Sequence, residues 1–312
     1  MKGYKRFEIY LNFSCNQRCI HCFNGEDFRR AHRDLDFAVV SSSLLKMRKK
    51  GYDWLSLLGG EPTVYPEILK VVSLARKLGY RRIMTFSNGL KYSQRSFVSD
   101  MRMAGLTDTC LSMHGDRSYL HEAVTQVPGS FNRVLGAIDN LKEEKINIMV
   151  ILVLNALNYK YFPRMVRFFL DKGIKNYMFF ALKYQGRMNE GGAGKLAVRL
   201  SEAFSQIGKV KKIFSDRGLK FPTILHVPPC VLPDYVEFLD NYSTSPSSML
   251  LQDGNTFGMG NAHKDLIFKP SCRSCKYYRG CSGFDPVYAD YFSDDEFKPV
   301  TGLKKKKSFK KI

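Results

Sequence analysis

Three cysteines fall within eight residues, Cys15, Cys19 and Cys22, in the stretch SCNQRCIHCFNG (14–25). In a reducing compartment, thiols grouped this closely serve as metal or cluster ligands. Three is one short of the four that a tetrahedral structural zinc or an all-cysteine iron–sulfur cluster takes. Either His21 or His32 completes a zinc set, or one coordination position is left open. A second group differs in this respect. CRSCKYYRGC (272–281) supplies Cys272, Cys275 and Cys281, and Cys230 in PPCVLPDY makes a fourth thiol. Four thiolates form a complete set, suited to zinc or to a cluster.

These residues must be positioned by regular elements, and the chain has a clear rhythm. Strands are expected at 7–13, 54–60, 81–89, 107–115, 146–155 and 176–184, from short apolar runs. Amphipathic helices are expected between and after them, at 37–51, 66–79, 95–105, 129–145, 161–173 and 195–218. Pro66 opens one helix and Gly51 and Gly79 close two others, as their backbone preferences favour. Six strand–helix units in series predict an α/β fold with a parallel sheet, curled into a partial (β/α)6 TIM-like barrel. Past residue 185 the rhythm changes to a glycine-rich link, GRMNEGGAG (186–194), one helix, and a small cysteine-rich extension. The expected division is 1–185 for the barrel, 186–303 for the extension and 304–312 for a basic tail. The chemistry of such a barrel belongs at the C-terminal ends of its strands. The cysteines follow strand one, GGEPT (59–63) strand two, SNG (87–89) strand three and SMHG (112–115) strand four. One pocket would receive them all.

CNQRCIHC and GGEPT together resemble the CxxxCxxC signature and glycine-rich second-strand motif of the radical S-adenosylmethionine (SAM) superfamily, over residues 7–185. The resemblance implies that Cys15, Cys19 and Cys22 hold a [4Fe–4S] cluster whose fourth iron is left for the amino and carboxylate groups of SAM. It implies reductive cleavage of SAM to a 5′-deoxyadenosyl radical that takes hydrogen from a substrate, fed by a low-potential flavodoxin or ferredoxin. Gly59, Gly60 and Pro62 would shape the SAM site, and Glu61 would accept hydrogen bonds from the SAM ammonium. His21 would stack near the adenine. Ser87 and Asn88 would contact the ribose or carboxylate, Ser112 would be a further SAM contact, and His114 would act as a proton donor or substrate contact. His121 has no assigned task, and Cys110 reads as a buried apolar residue. The C-terminal cysteines resemble the twitch form of the SPASM extension, which would hold one auxiliary cluster.

Composition bounds the partners. The 312 residues carry 49 Lys and Arg against 29 Asp and Glu, a net +20, and the tail LKKKKSFKKI holds six of those charges, leaving +14. Such a balance favours anionic partners. No apolar run approaches membrane-spanning length and the N-terminus lacks a signal-peptide pattern, which favours the cytoplasm. The expected substrate is a peptide or protein side chain; RNA or a small biosynthetic intermediate is the alternative within this chemistry. A metal-binding nucleic-acid adaptor without activity is the alternative outside it.

Overall fold

The computed structural model describes residues 5–240, 247–250, 256–258 and 266–302. The Lys-rich tail and parts of the polar stretch 241–265 lie outside the described residues.

The six expected strands are β1 (Arg6–Tyr10), β2 (Trp54–Leu58), β3 (Arg82–Ser87), β4 (Asp108–Met113), β5 (Asn147–Leu154) and β6 (Asn176–Ala181). They pair in sequence order, all parallel. Helices α2 (Phe37–Lys49), α3 (Ile68–Lys77), α4 (Arg95–Ala104), α6 (Ser130–Glu143) and α7 (Phe162–Asp171) supply the crossovers. Strand alternation divides the sheet into two faces. Phe7, Ile9, Leu55, Leu57, Leu111, Val150, Leu152 and Phe179 turn outward into one continuous core with the buried faces of the helices. Met84, Cys110 and Ile151 turn inward, joined by the half-buried Phe86, Met149, Val153, Met178 and Phe180. Cys110 is thus the small buried residue expected, with its sulfur 3.5 Å from that of Met84. β5 is apolar on both faces because both are covered, as parallel sheets require.

The inner face is charged at its floor. In register along the first three strands stand Arg6, Trp54 and Arg82, and Asp108 of the fourth lies two residues further along the register, opposite Met84. Arg82 pairs with Asp108 at 2.7 Å and lies 4.2 Å above the Trp54 ring, and Arg6 pairs with Glu8 at 2.7 Å. These ion pairs leave the opposite, C-terminal rim for chemistry.

The sheet extends beyond six strands. β7 (Thr223–Leu225) and β8 (Leu239–Asp240) continue it past β6, and β9 (Ser247–Leu250) and β10 (Thr256–Gly258) continue it past β1, with β10 alone antiparallel. Only six residues separate β8 on one edge from β9 next to the other, so the chain between them spans at most about 25 Å. That reach requires a sheet curled almost onto itself. The extension therefore completes the barrel's sheet rather than standing apart from it.

Two expectations are corrected after β6. The segment 186–194, read as a flexible link, is docked on the cysteine loop. The helix expected over 195–218 is broken into α8 (Ala193–Leu196), α9 (Leu200–Ala203) and α10 (Ile207–Asp216). The break has a side-chain cause. The Tyr184 hydroxyl donates to Val198 O at 3.1 Å and accepts from Val198 N at 3.2 Å, and Tyr288 accepts from Leu200 N at 3.0 Å. Two phenols from elsewhere in the chain thus take the groups that helical hydrogen bonds would use. Two short helices, α1 (Glu26–Ala31) and α5 (Ser118–Thr125), were not expected; α11 (Pro286–Phe292) lies in the extension, capped by Asp285, which accepts from Val287 N at 2.9 Å.

Candidate functional site

The cysteine loop leaves β1 at the C-terminal rim and is held from three sides by backbone hydrogen bonds. The second-strand motif supplies the first: Gly60 N donates to Asn12 O at 2.7 Å and Glu61 N to Ser14 O at 2.8 Å. The end of α5 supplies the second, accepting from Arg18 N at Thr125 O and from Ile20 N at Val124 O. The segment after β6 supplies the third, where Arg187 N donates to Cys22 O at 2.9 Å. Within the CxxxCxxC stretch one backbone–backbone bond, Cys22 N to Cys19 O, closes the loop locally. Its shape is imposed from outside.

The glycines make these approaches possible. A Cβ on Gly59 would overlap Asn12, and one on Gly60 would overlap the carbonyls of Phe13 and Ser14. Both glycines therefore stand directly against the segment that leads into the cysteine loop. Gly186, at φ +60°, and Gly192 press in the same way on the carbonyls of Cys22, Phe23 and Ile20. The sequence carried a signal for this contact, in the glycines of GRMNEGGAG, but not its partner.

Glu61 sits at the centre of the rim, 1% exposed. Its Oε1 accepts from Thr63 N at 3.1 Å, Thr63 Oγ1 at 2.6 Å and Ser87 Oγ at 2.7 Å, and its Oε2 from Asn88 N at 2.6 Å. Burial pushes its carboxyl up, opposed by these donors. Ser87 and Asn88 are thus joined to GGEPT, whose Pro62 is buried at the start of the turn Pro62–Val64. Asn88 reaches on to Asn16 Oδ1 at 2.7 Å and to Cys15 Sγ at 3.7 Å. Ser112, one residue before the end of β4, is half-buried on the inner face of the sheet.

His21, His114 and His121 form a row. Ring centroids of His21 and His114 lie 4.6 Å apart and those of His114 and His121 5.4 Å apart. His121 Nδ1 accepts from His114 N at 3.3 Å, and Asn158 donates to His114 O at 3.1 Å. Burial drops His21 and His121 to about 4, and holds His114 well below the usual imidazole value. All three are neutral at pH 7. His32 lies instead against Phe28 and Phe13, with its Nδ1 2.7 Å from Phe28 O.

The donor set suits an iron–sulfur group with SAM. None of the eight cysteines is in a disulfide. Cys15 accepts from Gln17 N at 3.4 Å and Cys22 from Arg29 Nη2 at 3.2 Å, donors that favour anionic sulfur. Burial pushes the Cys15 thiol up to about 11 and raises Cys19 further, so any metal bound there has to displace their protons. Around the loop Asn12 Oδ1, Gln17 Nε2, His21 Nδ1 and His114 Nδ1 are buried without a partner in the chain. Each such group costs about 1–3 kcal/mol unless a ligand offsets it.

The extension gathers its cysteines as well. Cys230, Cys272, Cys275 and Cys281 line one small cavity with Phe268, Tyr278 and Phe297. Cys275 accepts from Val300 N at 3.4 Å and Cys281 from Gly283 N at 3.3 Å. Burial pushes Cys230 up to about 12.

A sequence model of the radical SAM superfamily matches residues 9–169. Among curated proteins, the chain is 22% identical over 173 residues to an Fe-coproporphyrin III synthase of Methanosarcina barkeri, covering 55% of this chain and 43% of that protein. It is 28% identical over 169 residues to a probable GTP 3′,8-cyclase of Thermoplasma volcanium, covering 53% and 50%. The chain thus spans about half the length of these relatives. Among solved structures, Streptococcus suis SuiB bound to S-adenosylmethionine aligns with TM-score 0.69 at 15% identity, over 96% of this chain and 76% of that one. Native anSMEcpe with bound AdoMet aligns with TM-score 0.68 at 16% identity, over 94% and 95%. Those two likenesses establish the fold, extension included. With the motif-bearing half of the sequence matched and the three cysteines held at the rim of the barrel, the chain belongs to the radical SAM superfamily.

Proposed function

We propose that this enzyme modifies a peptide or protein side chain, using one [4Fe–4S] cluster on Cys15, Cys19 and Cys22 and a second on Cys230, Cys272, Cys275 and Cys281. The observation that carries the first part is a rim on which the loop bearing three thiols, one short of a closed set, meets GGEPT and the ends of β3 and β4. When bound, the cluster and SAM supply reductive cleavage of SAM and abstraction of hydrogen from the substrate. The chain's own residues bind, orient and exclude water. Glu61 acts chiefly by tying GGEPT to Ser87 and Asn88, which fixes the wall that SAM would meet. Gly59, Gly60 and Pro62 set how close that wall stands to the loop. Asn88 and Ser112 are the polar groups offered to SAM. His21 presents a neutral ring to the adenine, and His114 stands behind it toward the substrate.

A cluster rather than zinc in the extension is supported by the company it keeps, in a chain whose first three cysteines already leave one ligand position open. A peptide substrate is supported by the likeness to SuiB, which has been solved bound to its precursor peptide SuiA, over 94% of this chain. The small-molecule reading has its own support in the names of the curated relatives, a porphyrin synthase and a GTP cyclase. The electron donor would be a flavodoxin or ferredoxin. No described helix is long and apolar enough to cross a membrane, and the cytoplasm is the proposed location.

The test is anaerobic reconstitution. The wild type is expected to bind about eight irons, four per cluster. Replacing Cys15, Cys19 and Cys22 with Ala should remove about half of the iron and all SAM cleavage. Modification of a candidate peptide, against none of a porphyrin or nucleotide, separates the substrate readings.

A further inference from the structure

Arg29 has no role in the sequence motifs. It stands on α1, seven residues past Cys22, half-buried, with its Nη2 3.2 Å from Cys22 Sγ. A helix of six residues is not stable by itself, and α1 is pinned from both ends. Phe28 packs edge-on against Phe13 at 5.0 Å between centroids. Glu26 pairs with Arg187 at 2.5 Å, and Glu26 N donates to Glu190 at 3.1 Å. The guanidinium is therefore held against the sulfur by elements more than 150 residues apart in the chain.

We propose that Arg29 tunes the electron affinity of the cluster on Cys15, Cys19 and Cys22 by donating a charged hydrogen bond to the Cys22 sulfur. A cluster that accepts one electron gains one negative charge, shared between its irons and sulfurs. A fixed cation bonded to one of those sulfurs stabilises the reduced form more than the oxidised form and raises the potential. The effect is strengthened by partial burial, which weakens screening. No bond at Arg29 is made or broken: the electron comes from an external one-electron donor, and the guanidinium keeps its protons throughout. Arg29 acts through Cys22, so it is a positioning residue. The proposal rests on the reading of the three cysteines as cluster ligands.

The test compares reconstituted full-length wild type, Arg29→Gln and Arg29→Lys in anaerobic reductive titrations. The readout is the EPR signal that added SAM perturbs, which separates this cluster from the second. At a fixed potential the ratio of reduced to oxidised cluster should fall roughly tenfold in Arg29→Gln, about 59 mV for a one-electron couple. Arg29→Lys, which keeps the cation on a more flexible stem, should fall between the two. Equal midpoints in all three proteins overturn the proposal. So does a Gln variant that binds no iron while the Lys variant loads fully, because the arginine would then serve assembly rather than potential. A wild type with no SAM-sensitive iron signal removes the cluster reading itself, which is a different failure.

Discussion

The carboxylate of Glu61, at the end of β2, accepts the backbone N–H of Asn88, at the end of β3, at 2.6 Å in a buried setting. Two loops that the sequence suggests as separate SAM contacts are in this way one unit. Glu61→Gln cannot satisfy it. An amide offers one acceptor and two donors, so either Asn88 N or the Thr63 and Ser87 donors must face an N–H. We expect a loss of about 1–3 kcal/mol in urea unfolding, together with weaker SAM binding because the Ser87–Asn88 turn shifts. A variant with unchanged stability and SAM affinity would reduce this cluster of bonds to a surface detail.

Gly186 tests the docked segment. Its φ of +60° and the backbone carbonyls of Cys22 and Phe23 leave no room for a methyl group. Gly186→Ala should destabilise by about 1–3 kcal/mol through forced backbone movement and should release first-cluster iron faster during gel filtration. Gly191→Ala is the contrast. No atom lies within 4 Å of the methyl position there, so only the strain of its positive φ is added. Equal iron retention in the two variants would argue against docking.

The imidazole row predicts an acid limb. Burial drops His121 to about 4 from 6.5, so below pH 6.5 the unfolded chain takes up a proton that the folded chain refuses. Stability from this group is complete above pH 6.5 and is lost as pH falls toward 4, by about 1.4 kcal/mol per unit. His121→Leu should flatten the dependence over that window, while costing stability at pH 7 because His114 N loses its acceptor. His21 and His114 shift in the same direction, so some slope should remain. An unchanged slope in the variant would mean that His121 is protonated in the fold.

Cys230 is the member of the proposed second set furthest in sequence from the other three. Cys230→Ala should lower the iron held by the extension and leave slow SAM cleavage at the first cluster intact. Metal analysis of the wild type finding one zinc and about four irons would replace the second cluster with zinc.

The three N-terminal cysteines, GGEPT and the strand ends that carry them were legible in the sequence because each is local: a spacing, a turn, a strand of five to eight residues. Parallel order followed as well, since apolar strands alternating with amphipathic helices have few other ways to bury both faces. What the chain order could not reveal was which distant groups hold the rim. Tyr184 and Tyr288 break a helix that periodicity favoured, because their hydroxyls capture the backbone at Val198 and Leu200. Gly186 and Gly192 read as freedom and serve as contact, because their partners are carbonyls 160 and more residues away. Arg29 carries no motif and gains its place only when α1 is clamped by Glu190 and Arg187. Cys230 joins its set only where the chain after β7 meets the extension. Local spacing determined the ligands that the chain offers; the packing of segments far apart in sequence decided what surrounds their sulfurs, because hydrogen bonds and charge act through space and not along the chain.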